Sequence, residues 1–425
     1  MDARIRKSEL SGRVVAPPSK SYTQRAVVCA LIADGKTEIV NPSRSEDALF
    51  ALRAARMLGA RVTDFDDRFS ISGGRIEVPE DVVDCGGSAT ALRFFTAVSS
   101  HADGATVLTG DDQLRRRPMG DLLKAMNSLG AKCFSTKSNG FPPVVVMGGG
   151  MEGGTAAIPG DVSSQFISSL LVSSTLARND TAIRLSSALE SKNYIDMTME
   201  ILHKFGAKVA FDPGRGEFSV PSRQILHPLS YHVEGDFSSA AFMLAAGILC
   251  GKVLVDGIQL PSLQGDSAAI EILQRMGAKI SCSGNTVTAE TSVLRGIEID
   301  ARQIPDLVPI LAAVASRAEG ETRITGIKRL RYKESDRIAT IAETAMRMGG
   351  RIETGENEMV INGVGMTKGA IIDPSNDHRI AMACSILALF SEGETIIKNA
   401  ECVSKSYPSF FEDLVRMGGK VEMIK

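Results

Sequence analysis

The sequence contains no C-x-x-C pair. Its seven cysteines, Cys29, Cys85, Cys133, Cys250, Cys282, Cys384 and Cys402, are scattered and odd in number, so neither a zinc ribbon nor a disulfide scaffold is expected. No apolar run approaches bilayer length, and the opening MDARIRKSEL has no apolar core of the kind that a secretory leader needs. These features point to a reducing cytoplasm. Charge of one sign is not in excess either: 48 basic residues face 50 acidic ones. That balance argues against a general binder of nucleic acid or of membrane surfaces. No Walker loop, H-E-x-x-H or G-x-S-x-G occurs, and His101, His203, His227 and His232 lack metal-ligand spacing. They read as surface or packing residues; only His378, inside NDHR, has a functional setting. The formal G-x-G-x-x-G match at 148–153 leads into GTAAIPG rather than a helix and reads as a turn.

What the chain has is repetition. The phrases RMLGARV, NSLGAKC, HKFGAKV, QRMGAKI, MRMGGRI and VRMGGKV place glycines at 59, 130, 206, 277, 349 and 418, at intervals of 69 to 76 residues. Each reads as a helix stopped by a C-terminal glycine and followed by a strand. A second series (ADGKTEIV, ADGATVLT, ARNDTAIRL, LCGKVLV, AEGETRIT, SEGETIIK) interleaves with it. The stretches before these turns, such as TALRFFTAVSS, carry small residues on several faces and read as helices buried against sheets. One unit is therefore strand, buried helix, strand, outer helix and two strands. The first copy is expected at 12–16, 22–33, 37–40, 46–58, 61–64 and 69–72. The sixth copy runs short, whereas residues 3–8 are a spare extended segment, so the N-terminus is expected to cross over and complete it. At 425 residues two domains are expected: 1–18 with 235–425 (units four to six), and 19–234 (units one to three). The linking strands fall near 17–20 and 231–236.

Polar clusters gather at the helix starts of this frame. SKSYTQR, GGSATALR, DVSSQF, PDLVPI and NDHRI open buried helices; RRRPMG, SKNYID, YKESDR and SKSYP open outer ones. Serines there can cap the helix. Capping does not explain Lys20, Arg25, Arg93, Arg117, Lys333, Arg337, Arg379 and Lys405, which lie where the helix dipole disfavours cations. A solvated face would explain any one of them. Eight at equivalent places imply a ligand with several negative charges, held between two domains. Lys20 has no neutralising partner nearby in sequence. Asp306 and Glu334 stand among the cations, either as helix caps or as groups that exchange protons with lysine.

Taken in order, PPSKSYTQR, GGSATALR, RRRPMG, VSSQF, SKNYID, VEGDFSSA, QGD, IPD, YKESDR, NDHR and SKSYP resemble the 3-phosphoshikimate 1-carboxyvinyltransferase (EPSP synthase) family over essentially the full length. The resemblance implies an α/β fold of two domains, each of three βαβαββ units arranged like an inside-out α/β barrel, with the active site in the interdomain cleft. It implies transfer of the enolpyruvyl group of phosphoenolpyruvate to the 5-hydroxyl of shikimate 3-phosphate by addition and elimination, within chorismate and aromatic amino-acid biosynthesis. A cytoplasmic monomer without metal or organic cofactor is expected, its partners being the two small substrates, with no nucleic acid and no membrane.

By the same resemblance Ser21, Arg25, Ser163, Ser164, Ser191, Tyr194 and Lys333 hold shikimate 3-phosphate. Lys20 and Gln165 touch both substrates, and Gly87, Arg117, Arg337, Arg379 and Lys405 hold phosphoenolpyruvate. Asp306 is the base near the 5-hydroxyl and also contacts shikimate 3-phosphate. Proton movement at the methylene carbon falls to Glu334 with Lys20, and Lys405 is a third candidate. Three positions depart from the family pattern. Gly87 and Ala89 replace the Asn and Gly of the GNxGT loop, and Arg329 replaces an Asn that often meets the shikimate phosphate. The sister enzyme acting on UDP-N-acetylglucosamine is the nearest rival, but Asp112 stands where that family carries a Cys. A non-catalytic anion-binding scaffold is the other, and retention of Asp306, Glu334 and Lys405 speaks against it.

Overall fold

The computed structural model describes residues 1–424. The chain divides into two compact units: residues 1–17 together with those from Glu234 onward, and Pro18–Val233. Each has its own apolar core, and the two cores share no residue.

The Pro18–Val233 unit holds six α-helices: α1 (Lys20–Ile32), α2 (Glu46–Met57), α3 (Ala89–Val98), α4 (Gly120–Ser128), α5 (Ser164–Ser174) and α6 (Lys192–Lys204). In the other unit are α7 (Phe237–Cys250), α8 (Ala268–Arg275), α9 (Val308–Ala315), α10 (Arg337–Arg347), α11 (His378–Phe390) and α12 (Phe410–Arg416). Odd-numbered helices are buried almost all round. Every residue of α7, FSSAAFMLAAGILC, is buried. Its small side chains let it lie close on the neighbouring sheet: a Cβ added at Gly247 would stand 2.7 Å from the Ala289 carbonyl oxygen. Even-numbered helices are amphipathic and cover the outside with one apolar stripe.

The helix-stop glycines explain the period of the repeat. Gly59, Gly130, Gly206, Gly277, Gly349 and Gly418 all have positive φ, between 82° and 102°. In each case the glycine N–H returns to the carbonyl three residues back, and the next N–H to the one five back, as in Gly277→Gln274 and Ala278→Leu273. This pair of bonds is the Schellman closure, whose left-handed position glycine adopts without Cβ strain.

Six four-stranded sheets follow one plan: a parallel pair, then two antiparallel neighbours. In the fifth repeat the order is Glu298–Asp300, Glu321–Thr325, Glu358–Asn362, Arg351–Thr354. The sixth sheet is completed by the N-terminal strand Asp2–Arg6, which lies between Glu394–Ile397 and Lys420–Ile424. One strand departs from expectation. The segment expected to open the first copy, observed as Leu10–Val15, pairs in parallel with Gly251–Asp256 and belongs to the fourth sheet. Its place in the first sheet is taken by Ser230–His232, parallel to Lys36–Val40. The repeat specifies a strand before each buried helix, but a strand's partner is a long-range choice that its own side chains do not encode. The expected linker at 17–20 is shortened by the first turn of α1, which begins at Lys20.

Candidate active site

Within the Pro18–Val233 unit, serines cap the three buried helices. Ser19 accepts from the Tyr22 N–H, Ser88 from Ala91 and Ser163 from Gln165. Capping therefore accounts for Ser163, though its Oγ also lies 3.2 Å from Arg93 Nη1 and its own hydrogen remains to be donated. The N-terminal ends of α3 and α5 are tied together. Arg93 Nη1 donates to Gln165 Oε1 at 2.5 Å, and Gln165 Nε2 donates to Thr90 Oγ1 at 2.9 Å. Arg93 Nη2 reaches the Pro118 carbonyl, next to buried Arg117. Ser164, also buried, opens α5.

Lys20 and Arg25 leave α1 in different directions. Lys20 Nζ lies 2.7 Å from Asp47 Oδ2 in the first turn of α2, so the lysine that lacks a neutralising partner in sequence has one 27 residues away. Arg25 is buried toward α6. Its Nε donates to Thr198 Oγ1, Nη1 to the Ser21 carbonyl and Nη2 to the Tyr194 carbonyl, at 2.8, 2.9 and 2.9 Å. Burial pushes its pKa down to about 10, which leaves it charged at neutral pH. Ser191, just before α6, holds a left-handed conformation with φ 51°. The turn Cys85–Ser88 positions Gly87: Gly86 N–H donates to Asp84 Oδ1, and Ser88 N–H to the Cys85 carbonyl. Gly86 has no room for a side chain, since an added Cβ would fall 2.2 Å from the Phe50 ring.

The other unit gathers carboxylates and cations around one guanidinium. Arg337, 1 % exposed, points Nη1 at Asp306 Oδ1 (2.8 Å), Nη2 at Glu334 Oε2 (2.7 Å) and Nε at Asp377 Oδ2 (2.8 Å). Asp306 also meets Lys333 Nζ and Arg379 Nη2, each at 3.3 Å. Neither Asp306 nor Glu334 caps a helix: α10 is capped by Asp336 and α11 by Asp377, while the cap position of α9 is Leu307. Burial opposes the ionised form of Asp306, but Arg379, Lys333 and Arg337 outweigh it and hold this carboxyl well below the usual range. Desolvation likewise works against the Arg337 cation, and Asp377, Glu334 and Asp306 overcome it. Lys333 is pulled down to about 8, mainly by burial. Lys405 is also buried, and its Nζ donates to the Asn376 carbonyl at 3.1 Å. Ser375 and Asn376 both take left-handed φ values, 53° and 55°, immediately before α11. Non-glycine residues held there store strain of a kind common at functional sites.

Three participants were not singled out as site residues by the sequence. Asp47 looks like any first-turn acid that complements a helix dipole, and nothing local reveals it. Asp377 carried a signal, being an Asp directly before an apolar helix, but its grip on Arg337 is a long-range contact. Asp266, in QGD, is buried with Ser238 Oγ on one carboxylate oxygen and no partner on the other; burial, then the charge of Asp306, raises it to about 7.

The model of the family described as EPSP synthase (3-phosphoshikimate 1-carboxyvinyltransferase) matches residues 5–414. The chain belongs to this family. A 3-phosphoshikimate 1-carboxyvinyltransferase of Methanocella arvoryzae is 44 % identical over 427 residues, covering all of both chains. Another, of Methanocaldococcus jannaschii, is 41 % identical with 99 % of each chain covered. Among solved structures, EPSP synthase from Acinetobacter baumannii superposes with a TM-score of 0.83 at 28 % identity over the whole of both chains. The enolpyruvyl transferase NikO from Streptomyces tendae shares the fold, with a TM-score of 0.82 at 20 % identity and 99 % and 98 % of the two chains covered. The α/β fold expected from the repeats is thus that of the EPSP synthase family. No helix among the described residues is long and apolar enough to cross a membrane.

Proposed function

We propose that this chain transfers the enolpyruvyl group of phosphoenolpyruvate to the 5-hydroxyl of shikimate 3-phosphate, releasing phosphate, on the route to chorismate and the aromatic amino acids. Membership of the EPSP synthase family supports the reaction. The observation that carries the chemistry is the setting of Asp306, an ionised carboxylate whose ion-pair partners Lys333, Arg337 and Arg379 are all cations. A carboxylate held so far below its usual range is a weak base. A phosphate or carboxylate drawn to Lys333 and Arg379 shares their charge, so Asp306 gains proton affinity as the anionic substrates arrive. The base is thereby strengthened when the 5-hydroxyl is presented.

Shikimate 3-phosphate falls to Lys20, Ser21, Arg25, Ser163, Ser164, Gln165, Ser191 and Tyr194, with Lys333 and Asp306. Phosphoenolpyruvate falls to Lys20, Gly87, Arg117 and Gln165, with Arg379 and Lys405. Arg337 already holds three carboxylates, Asp306, Glu334 and Asp377, which leaves one Nη1 hydrogen for phosphoenolpyruvate, so its larger part is to hold Asp306 and Glu334 in place. Guanidiniums already fixed by carboxylates need little reorganisation to stabilise the charge of a tetrahedral phosphate intermediate. Glu334, on the same guanidinium as Asp306, carries the proton at the methylene carbon together with Lys20, and Lys405 remains a third donor. The seven free thiols fit a reducing cytoplasm, and the working form is a monomer.

Glu334→Gln tests the assignment. The amide still accepts from Arg337, so a packing role would survive the change. Loss of proton transfer lowers turnover about 100-fold or more while shikimate 3-phosphate binding, measured by calorimetry, is kept. Near-normal turnover removes Glu334 from the mechanism.

A further inference from the structure

Lys20 is assigned to both substrates, yet its ammonium is already engaged. Asp47 Oδ2 lies 2.7 Å from Nζ, and the two side chains are only 14 % and 12 % exposed. Asp47 is in the first turn of α2, where its carboxylate would ordinarily serve that helix's own unpaired N–H groups. Here it reaches across to α1 instead. The backbone of the same residue is a second anchor: the Asp47 carbonyl accepts from Gln24 Nε2 at 2.9 Å, and Gln24 Nε2 also lies 2.7 Å from Ser88 Oγ. Ser88 caps α3 and ends the turn that carries Gly87. One residue therefore fixes the Lys20 side chain and is linked to the loop assigned to phosphoenolpyruvate.

We infer that Asp47 is a positioning residue for enolpyruvyl transfer, holding the Lys20 ammonium at the place from which it acts in the chemical step. A lysine side chain has four rotatable bonds, and a short charge-assisted hydrogen bond confines it to one arrangement. The ammonium has three hydrogens, so Asp47 leaves two for the substrates. Because Asp47 is itself an anion, it does not assist the binding of anionic substrates. Its contribution is therefore to kcat, not to KM.

The inference rests on the reaction proposed above. Its test is steady-state kinetics on Asp47→Asn, which keeps the volume and an acceptor oxygen but removes the charge, and on Asp47→Ala. The expected result is a fall in kcat of about tenfold or more in each, with KM for both substrates unchanged within threefold or lower. Asp47→Glu should recover part of the loss. In a Lys20→Ala background, Asp47→Ala should cost less than threefold further, since the side chain it positions is gone. Thermal melting separates this from a packing role, which would lower stability and cost the same in both backgrounds. A kcat within twofold of the unaltered enzyme, a loss confined to KM, or an equal loss without Lys20 overturns the inference. Absence of enolpyruvyl transfer by the unaltered protein would instead refute the proposed function.

Discussion

Burial brings the Lys333 ammonium down to about 8, against the opposing pull of Asp306. Its folded-state pKa is thus below the ordinary lysine value, so the cation is present below about pH 8 and lost as pH rises through it. If Lys333 binds the shikimate phosphate, kcat/KM for shikimate 3-phosphate falls above about pH 8 in the free enzyme's profile. Lys333→Arg keeps the charge to much higher pH and should move that limb upward by a unit or more. An alkaline limb left in place by the arginine would assign it to another group. Asp306 behaves in the opposite sense. Its folded-state pKa is depressed, so its ion pairs stabilise the unit at neutral pH and are lost only as pH falls well below the usual carboxylate range.

At the scale of elements, the six glycine stops are the strongest structural signal in the chain, because a left-handed helix terminus selects glycine over every other residue. Gly349 isolates that effect, since φ is 82° and no atom stands within 4 Å of an added Cβ. Gly349→Ala should lower stability by about 1–2 kcal/mol, the cost of a left-handed L-residue, measured by urea denaturation. No change would mean that the turn relaxes. The same contrast between local and long-range constraint explains what else could be read from the sequence. The helices from Lys20 and Glu46 followed from apolar pattern and caps, and the cluster of Lys333, Glu334 and Arg337 was visible because its members are near in sequence. That Asp306 joins them was an expectation from family likeness; the geometry adds that three cations surround it. The parallel partner of Leu10–Val15 and the counter-ion of Lys20 were not legible. Both are pairings across many residues between segments that look ordinary alone.

At the scale of the molecule, each unit closes its own sheets. Ser230–His232 supplies the first strand that the Pro18–Val233 unit would otherwise lack, so all three of its sheets are built from its own residues. A fragment of residues 18–233 should therefore fold and melt cooperatively, as followed by circular dichroism. It should have no turnover, because Asp306, Glu334 and Lys405 lie in the other unit. An unfolded fragment would show that its core is insufficient alone. The central claim is that the whole chain transfers enolpyruvyl from phosphoenolpyruvate to shikimate 3-phosphate. Phosphate release, measured in a coupled assay with phosphoenolpyruvate and one acceptor at a time, tests it most directly. The account predicts continuous release with shikimate 3-phosphate and none with UDP-N-acetylglucosamine or without acceptor. Release with the UDP-sugar alone, or with no acceptor at all, would contradict it.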